Sequence, residues 1–441
     1  MAEDRLQDGQ AATDAEDSRW KASSTALVAW CFFDWANSAF PTVIVTFVFA
    51  NYYASALAAS PEEATKEWGM AISLSGLAIA ILAPIFGALA DQGGPRKPWL
   101  FVFTVICIAC GFSLWTVAPE LSFAARALIL VGIANAAFEL GQVFYNAMLP
   151  ELAPVQKLGR LSGWAWGLGY GGGLVCLVLC LVLLIRPEQP LFGLDKSAAE
   201  HVRATGPLVA IWFAVFALPL FLLTPDRKSS GLSSGEAIRR GLRLLVKTLR
   251  ELPSHGQIGR FLLARMIYID GLNTLFVFGG IYAASKFGMD TGEILIFAIL
   301  LNITAGIGAA GFGWIDDWIG AKRTIMISVV CLTLLCGWIL VVDSKVWFYA
   351  LGCAIGVFMG PTQSASRSMM ARLAPAHLRT EMFGLFAFSG KATAFVGPAL
   401  VGWITVWTNS QQAGMAVILV FFVLGLLILA PLKESLSSYK T

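Results

Sequence analysis

Apolar residues in this chain come in long runs, not in the alternation of a half-buried strand or the one-sided spacing of a soluble helix. Twelve runs stand out: about 26–58, 68–90, 98–118, 122–149, 158–185, 206–223, 258–285, 291–315, 324–342, 346–373, 381–407 and 412–431. Each is close to or above the roughly 20 residues that a helix needs to cross a bilayer. The pattern predicts an all-α membrane protein with twelve transmembrane helices. A polar segment, 224–257, splits them into six and six. The expected organisation is a tail (1–25), a six-helix bundle (26–223), a linker (224–257), a second six-helix bundle (258–431) and a tail (432–441). Within the linker, Ile238, Leu242, Leu245, Val246, Leu249 and Leu252 recur at helical spacing between Arg239, Arg240, Arg243, Lys247 and Arg250. That is the pattern of an amphipathic helix on a membrane surface.

Composition agrees: 57% of residues are hydrophobic, 13% are charged and the mean hydropathy is +0.72, against roughly 25% charged in soluble domains. With both termini on one side, the connections on that side hold 21 Lys and Arg, and those opposite hold six. Basic residues stay cytoplasmic, so both termini are expected in the cytoplasm. The acidic start, MAEDRLQDGQAATDAEDSRW, is neither a signal nor a transit peptide, and a bacterial inner membrane is the default location. All eight cysteines lie in apolar runs and read as packing residues. The three histidines, 201, 255 and 377, fall in connections. Neither a metal-ligand spacing nor a phosphate-binding loop occurs, and the basic linker is accounted for by the membrane. We expect no enzyme, cofactor, metal or nucleic-acid partner, and a monomer in the lipid bilayer.

Ionisable and amide side chains inside apolar runs are costly and mark function. The first span carries FDWANSAF, with Asp34, Asn37 and Ser38 on one helix face. Pro41 follows and should kink the helix. The seventh span repeats the pattern as IDGLNTLF, with Asp270 and Asn273 at a constant offset of 236 from Asp34 and Asn37. The fourth span carries Asn135, Glu139, Gln142 and Asn146 as a polar stripe. The tenth adds Gln363, Ser366 and Arg367, the eleventh Lys391, and Arg265 lies a turn below Asp270. These residues are expected to bind substrate or protons, with acids on the N-terminal wall of a cavity and bases on the other. Such a cavity would suit a zwitterion, and Asp34, then Glu139, is the first candidate proton carrier.

Further repeats relate the halves. GALADQGGPRK around Asp91 is echoed by GWIDDWIGAKR around Asp317, at an offset of 226. Gln142, Asn146 and Leu-Ala-Pro at 152–154 are echoed by Gln363, Arg367 and Leu-Ala-Pro at 373–375. Internal repetition of this kind marks a duplication. The second loop has Trp318 and Ile319 in place of Gln92 and Gly93, so its conformation could differ.

The two loops resemble the signature of the major facilitator superfamily. FDWANSAF, GRLSGWAWGLGYGGG (159–173) and PTQSASRSMMARLAP (361–375) are similar to the autophagy-linked vacuolar amino-acid effluxers and their bacterial relatives. The resemblance implies two pseudo-symmetric bundles that rock about a central site. Spans one, four, seven and ten would line that site. Spans two and eleven, and five and eight, would slide. It also implies that Asp91, Arg96 and Lys97, with Asp317, Lys322 and Arg323, form a cytoplasmic gate with Arg160 and Glu381. The expected function is secondary transport of a small zwitterion such as an amino acid or short peptide, with protons as candidate coupling ions. Drug or sugar transport on the same fold, a solute sensor and a lipid-handling protein are the alternatives.

Overall fold

The computed structural model describes residues 22–231, 234–251 and 256–433. Most of both expected tails, and residues 232–233 and 252–255 of the expected linker, lie outside the described residues. Thirteen long helices follow in order: α1 (Ser24–Leu57), α2 (Pro61–Gly93), α3 (Lys97–Thr116), α4 (Leu121–Leu152), α5 (Val155–Ile185), α6 (Glu200–Leu223), α7 (Ser234–Glu251), α8 (Gly256–Phe287), α9 (Thr291–Ile319), α10 (Ala321–Val341), α11 (Lys345–Leu373), α12 (Ala376–Thr408) and α13 (Gln411–Leu429). Helix α7 is the linker, and the other twelve are the expected spans. Among the described residues, eleven helices are long and apolar enough to cross a membrane. The twelfth, α11, is as long, but Thr362, Gln363, Ser364, Ser366, Arg367 and Ser368 dilute its apolar character.

Local sequence sets the ends. Ser23 and Ser60 cap α1 and α2 through bonds to the amides of Ala26 and Glu63, each 3.2 Å. Asp290 and Glu293 form a reciprocal capping box on α9. Pro41 acts as expected in kind, although the helix does not stop. It continues in wide, five-residue turns over Phe40–Phe47, the usual way a helix absorbs a lost donor. Helix α12 is broken outright. Its first part ends at Lys391, and the second begins at Val396.

The halves meet along α2 with α12 and α5 with α9. Glycine allows backbone-to-backbone approach there. A Cβ on Gly384 would lie 2.5 Å from the carbonyl oxygen of Ala83, and one on Gly87 2.5 Å from that of Thr380. A Cβ on Gly167 would lie 3.0 Å from the carbonyl oxygen of Gly306. The linker helix docks on α2, with Gly241 against Ala88. It buries Ala237, Leu245 and Thr248, while Ile238, Leu242, Val246 and Leu249 stay exposed beside its arginines. Of the expected apolar stripe, Leu252 lies outside the described residues, and among the described ones only Leu245 turns into the protein.

Candidate functional site

Between the halves lies a cavity of about 580 Å³. Its floor is the layer holding Asp34, Asn146 and Arg367, and it extends to Ile294 and Phe348, in the first turns of α9 and α11. It therefore runs away from the end where α1 begins. Asp34, Asn37 and Ser38 of α1 line it, as do Glu139, Gln142 and Asn146 of α4. Asn273 of α8, Gln363 and Arg367 of α11 and Lys391 of α12 face the same space. The wide turns of α1 bring Thr46 and Phe47 onto the wall as well.

The acids and bases of the two walls are not separated. Arg367 donates from Nη1 to Asp34 Oδ2 at 2.9 Å and to Asn146 Oδ1 at 3.2 Å. Its Nε donates to Ser162 Oγ at 2.9 Å, and Nη2 to the Ser162 carbonyl at 2.7 Å. Trp30, Tyr145 and Trp166 surround the guanidinium, with ring centroids 5.1 to 5.7 Å away. Arg367 is 2% exposed and Asp34 6%, so this is a buried pair that joins the halves. Lys391 Nζ meets Glu139 Oε1 at 2.6 Å, a second pair across the same interface but half-exposed in the cavity. Gln363 donates to Tyr170 Oη at 2.9 Å, a third polar link.

Three expected residues lie elsewhere. Ser366 is fully buried and shares a 2.7 Å hydrogen bond with Tyr268 Oη, away from the cavity wall. Asn135 does not line the cavity. It donates to Ser75 Oγ at 2.7 Å and ties α4 to α2. Asp270 does not line it either. Its side chain is buried with both carboxylate oxygens lacking a hydrogen-bond partner, and the Gly397 amide is the polar group facing it. The polar stripe and the repeat located Asn135 and Asp270 on the right helices, but not the neighbour each would meet.

At the end where α1 begins, away from the cavity, the two repeated loops make matching contacts. Asp91 accepts from the amides of Thr380 (3.1 Å) and Glu381 (2.8 Å) and from Thr380 Oγ1 (2.7 Å). It thereby caps the first regular turn of α12. Asp317 accepts from the amides of Gly159 (2.8 Å) and Arg160 (3.2 Å) and from Arg160 Nε (2.7 Å), capping α5. A carboxylate at a helix N-terminus is favoured by unpaired amides and by the helix dipole. Gly94 and Gly320 both take positive φ, 98° and 95°, but their ψ angles differ, −76° against 153°, and the second helix resumes at Ala321, directly after Gly320, so the two turns are not alike.

The basic residues of the loops divide. Arg96 is 1% exposed and joins Glu151 (2.9 Å), Thr380 Oγ1 (2.8 Å) and the Ala147 carbonyl (2.9 Å). Lys97 instead reaches the Phe221 carbonyl within its own half, and Lys322 reaches that of Ala430. Arg323 is exposed. Glu381 meets Asp91 through its backbone N–H, not its carboxylate. Among the described residues, Lys97 and the Glu381 carboxylate form no ion pair with the opposite half. Sequence reasoning missed Glu151, bonded to Arg96, Arg227 and Arg379, and Arg372, bonded to Asp316 at 2.5 Å. The signal was available, since Glu151 and Arg372 differ by the same 221 residues as the Leu-Ala-Pro echo.

A twelve-helix fold of two similar halves around one central cavity is that of a major facilitator transporter. Solved structures agree. The fold matches the E. coli fucose:proton symporter FucP with a TM-score of 0.70 at 15% identity, covering 95% of this chain and 100% of that one. It matches the proton:xylose symporter XylE with a TM-score of 0.70 at 14% identity, covering 93% and 96%. Within that class, residues 69–437 match the family described as vacuole effluxer Atg22 like, and the chain belongs to this family. It is 25% identical to an uncharacterised MFS-type transporter, YxiO, of Bacillus subtilis over 93% of this chain and 95% of that one. Autophagy-related protein 22 of Cryptococcus neoformans is 25% identical over 61% of this chain and 49% of its own length. The match thus spans about half of the fungal relatives. Family and fold are those of multi-pass membrane transporters.

Proposed function

We propose that the protein exports a small zwitterion, such as an amino acid or short peptide, by alternating access. The observation that carries this is the pair of ion pairs across the cavity, Asp34–Arg367 and Glu139–Lys391. Each has its acid in one half and its base in the other, so each holds the halves together on the cavity floor and must be exchanged when they rock apart. A solute with an ammonium and a carboxylate can substitute for both members of such a pair. A proton arriving at Asp34 would also release Arg367, which makes Asp34 the coupling site in this reading.

The bundles 26–223 and 258–431 are the moving bodies, and the linker helix tethers them. The Asp91 and Asp317 caps close the end where α1 begins. The basic connections at that end support a reading in which this state is open to the outside and both termini are cytoplasmic, and the location we propose is a bacterial inner membrane. The reading is one of a monomer, because cavity and gates are complete within one chain.

The test is flux in sealed proteoliposomes. Labelled amino acids should move, and an imposed pH gradient should drive them uphill. Asp34→Asn should abolish the uphill component. Transport of sugars but not amino acids would overturn the substrate class, and indifference to the gradient would overturn the coupling.

A further inference from the structure

Five charged side chains line the cavity: Asp34, Glu139, Arg265, Arg367 and Lys391. The two acids are already bonded to Arg367 and Lys391. Arg265 remains, and none of the ion pairs among the described residues includes it. The cavity therefore carries one cation in excess. An unpaired charge taken out of water is costly, so the fold has paid heavily to keep this one at the wall.

The surroundings of Arg265 hold it in place without neutralising it. Its guanidinium lies over the Phe386 ring, 3.4 Å from the centroid. Nη1 donates to the Phe386 carbonyl at 2.6 Å and to Ser389 Oγ at 2.7 Å, both neutral acceptors. Nε has no partner. Beside the group, where another residue would carry a side chain, α12 has Gly390. A Cβ there would sit 3.1 Å from Nη1 and 3.3 Å from Nη2. Gly390 also lines the cavity, so its lack of a side chain leaves one flank of the guanidinium open. The Glu139 carboxylate is near enough to act on Arg265 electrostatically.

We propose that Arg265 is the anchor for the carboxylate of the transported solute, with Phe386 and Ser389 orienting the guanidinium and Gly390 keeping the approach clear. The proposal rests on the transporter reading and narrows it: the solute must carry a carboxylate. An ammonium on the same solute would fall toward Glu139, in competition with Lys391. Guanidinium–carboxylate recognition is the strong, geometrically specific form of charge-assisted hydrogen bonding, whereas Arg367 is committed to Asp34, Asn146 and Ser162.

The experiment is thermal stabilisation of the purified full-length protein in detergent. The probes are amino acids, the matching amino-acid amides, the matching deaminated acids, and sugars. Ligands of the folded state raise the melting temperature by mass action. Amino acids and deaminated acids should stabilise, and amides and sugars should not. Arg265→Gln should weaken the apparent affinity for acids by about tenfold or more, and Arg265→Lys should recover part of it. The acid-against-amide comparison needs no variant and stands even if Arg265→Gln folds poorly. Amides binding as well as acids, an undiminished response in Arg265→Gln, or no response to any carboxylate would each overturn the anchor. Flux of carboxylates that Arg265→Gln leaves unchanged would overturn it while sparing the transporter. Carboxylate binding that needs Arg265, without any flux, would support the anchor and remove the transport reading.

Discussion

Asn146 and Arg367 occupy equivalent positions in the two halves, 221 residues apart, and they are bonded to each other at 3.2 Å across the interface. One is neutral and the other charged, which breaks the symmetry where the halves meet. The consequence appears at the acids. Asp34 and its repeat Asp270 both lie against a glycine, Gly169 and Gly397. Asp34 is answered by Arg367 from the opposite half. The residue related to Arg367 that would answer Asp270 is Asn146. An acid is present in both halves and its base in only one.

Asp34→Ala leaves Arg367 buried without a counter-ion. The expected cost is about 3–5 kcal/mol, read as a fall in melting temperature. Adding Arg367→Met should restore much of that loss, because two apolar groups need no compensation. Equal, additive losses would show that the two side chains act independently.

Asp270 predicts the opposite sign. Neither of its buried carboxylate oxygens has a hydrogen-bond partner, and an unsatisfied buried polar group costs about 1–3 kcal/mol, more when charged. Asp270→Asn should therefore raise the melting temperature or leave it unchanged, in contrast to the fall expected for Asp34→Ala. A marked drop would reveal a bound ion or partner that depends on the carboxylate.

The caps by Asp91 and Asp317 make a conformational prediction. Losing a charged helix cap costs about 1–2 kcal/mol, roughly a tenfold change in an equilibrium constant. Spin labels on Lys157 and His377, exposed residues of opposite halves at the capped end, should report a longer distance in Asp91→Ala and in Asp317→Ala. The two should act in the same direction. If only one shifts the distribution, the caps are not equivalent gates.

Glycine spacing yields a paired comparison. A Cβ on Gly163 would collide with the Ala309 carbonyl oxygen in the opposite half, whereas one on Gly279 would meet nothing within 4 Å. Gly163→Ala should destabilise the closed arrangement, read by the same labels and by melting. Gly279→Ala, inside a helix with room around it, should be neutral or mildly stabilising.

How far the sequence carries depends on the kind of signal. Twelve spans were legible because burying a helix in lipid demands a long apolar run, and few other structures do. Asp34 and Glu139 were legible because charge inside such a run stands out. Their partners were not, since Asp34 and Arg367 lie 333 residues apart and spacing within a helix fixes a face without naming the helix opposite. Asp270 illustrates the limit. Its repeat matches that of Asp34, yet α13 packs on this part of α8, with Phe421 and Phe422 beside Gly271, and α12 brings Gly397 over it. Arg265 was legible as an intramembrane cation. That it would be the one left unpaired followed only from seeing the other four charges matched.

The polar half of α11 has a consequence for how the protein is made. An arginine in an inserting helix costs up to about 2.5–3.5 kcal/mol, the value at the helix centre, and α11 carries Arg367 in its C-terminal third, among four hydroxyl residues and a glutamine. The groups that satisfy Arg367, namely Asp34, Asn146 and Ser162, belong to α1, α4 and α5, which are synthesised first. The N-terminal half can therefore serve as the receptor that draws α11 into the bilayer, so that the charge pair guides assembly before it takes part in any transport cycle.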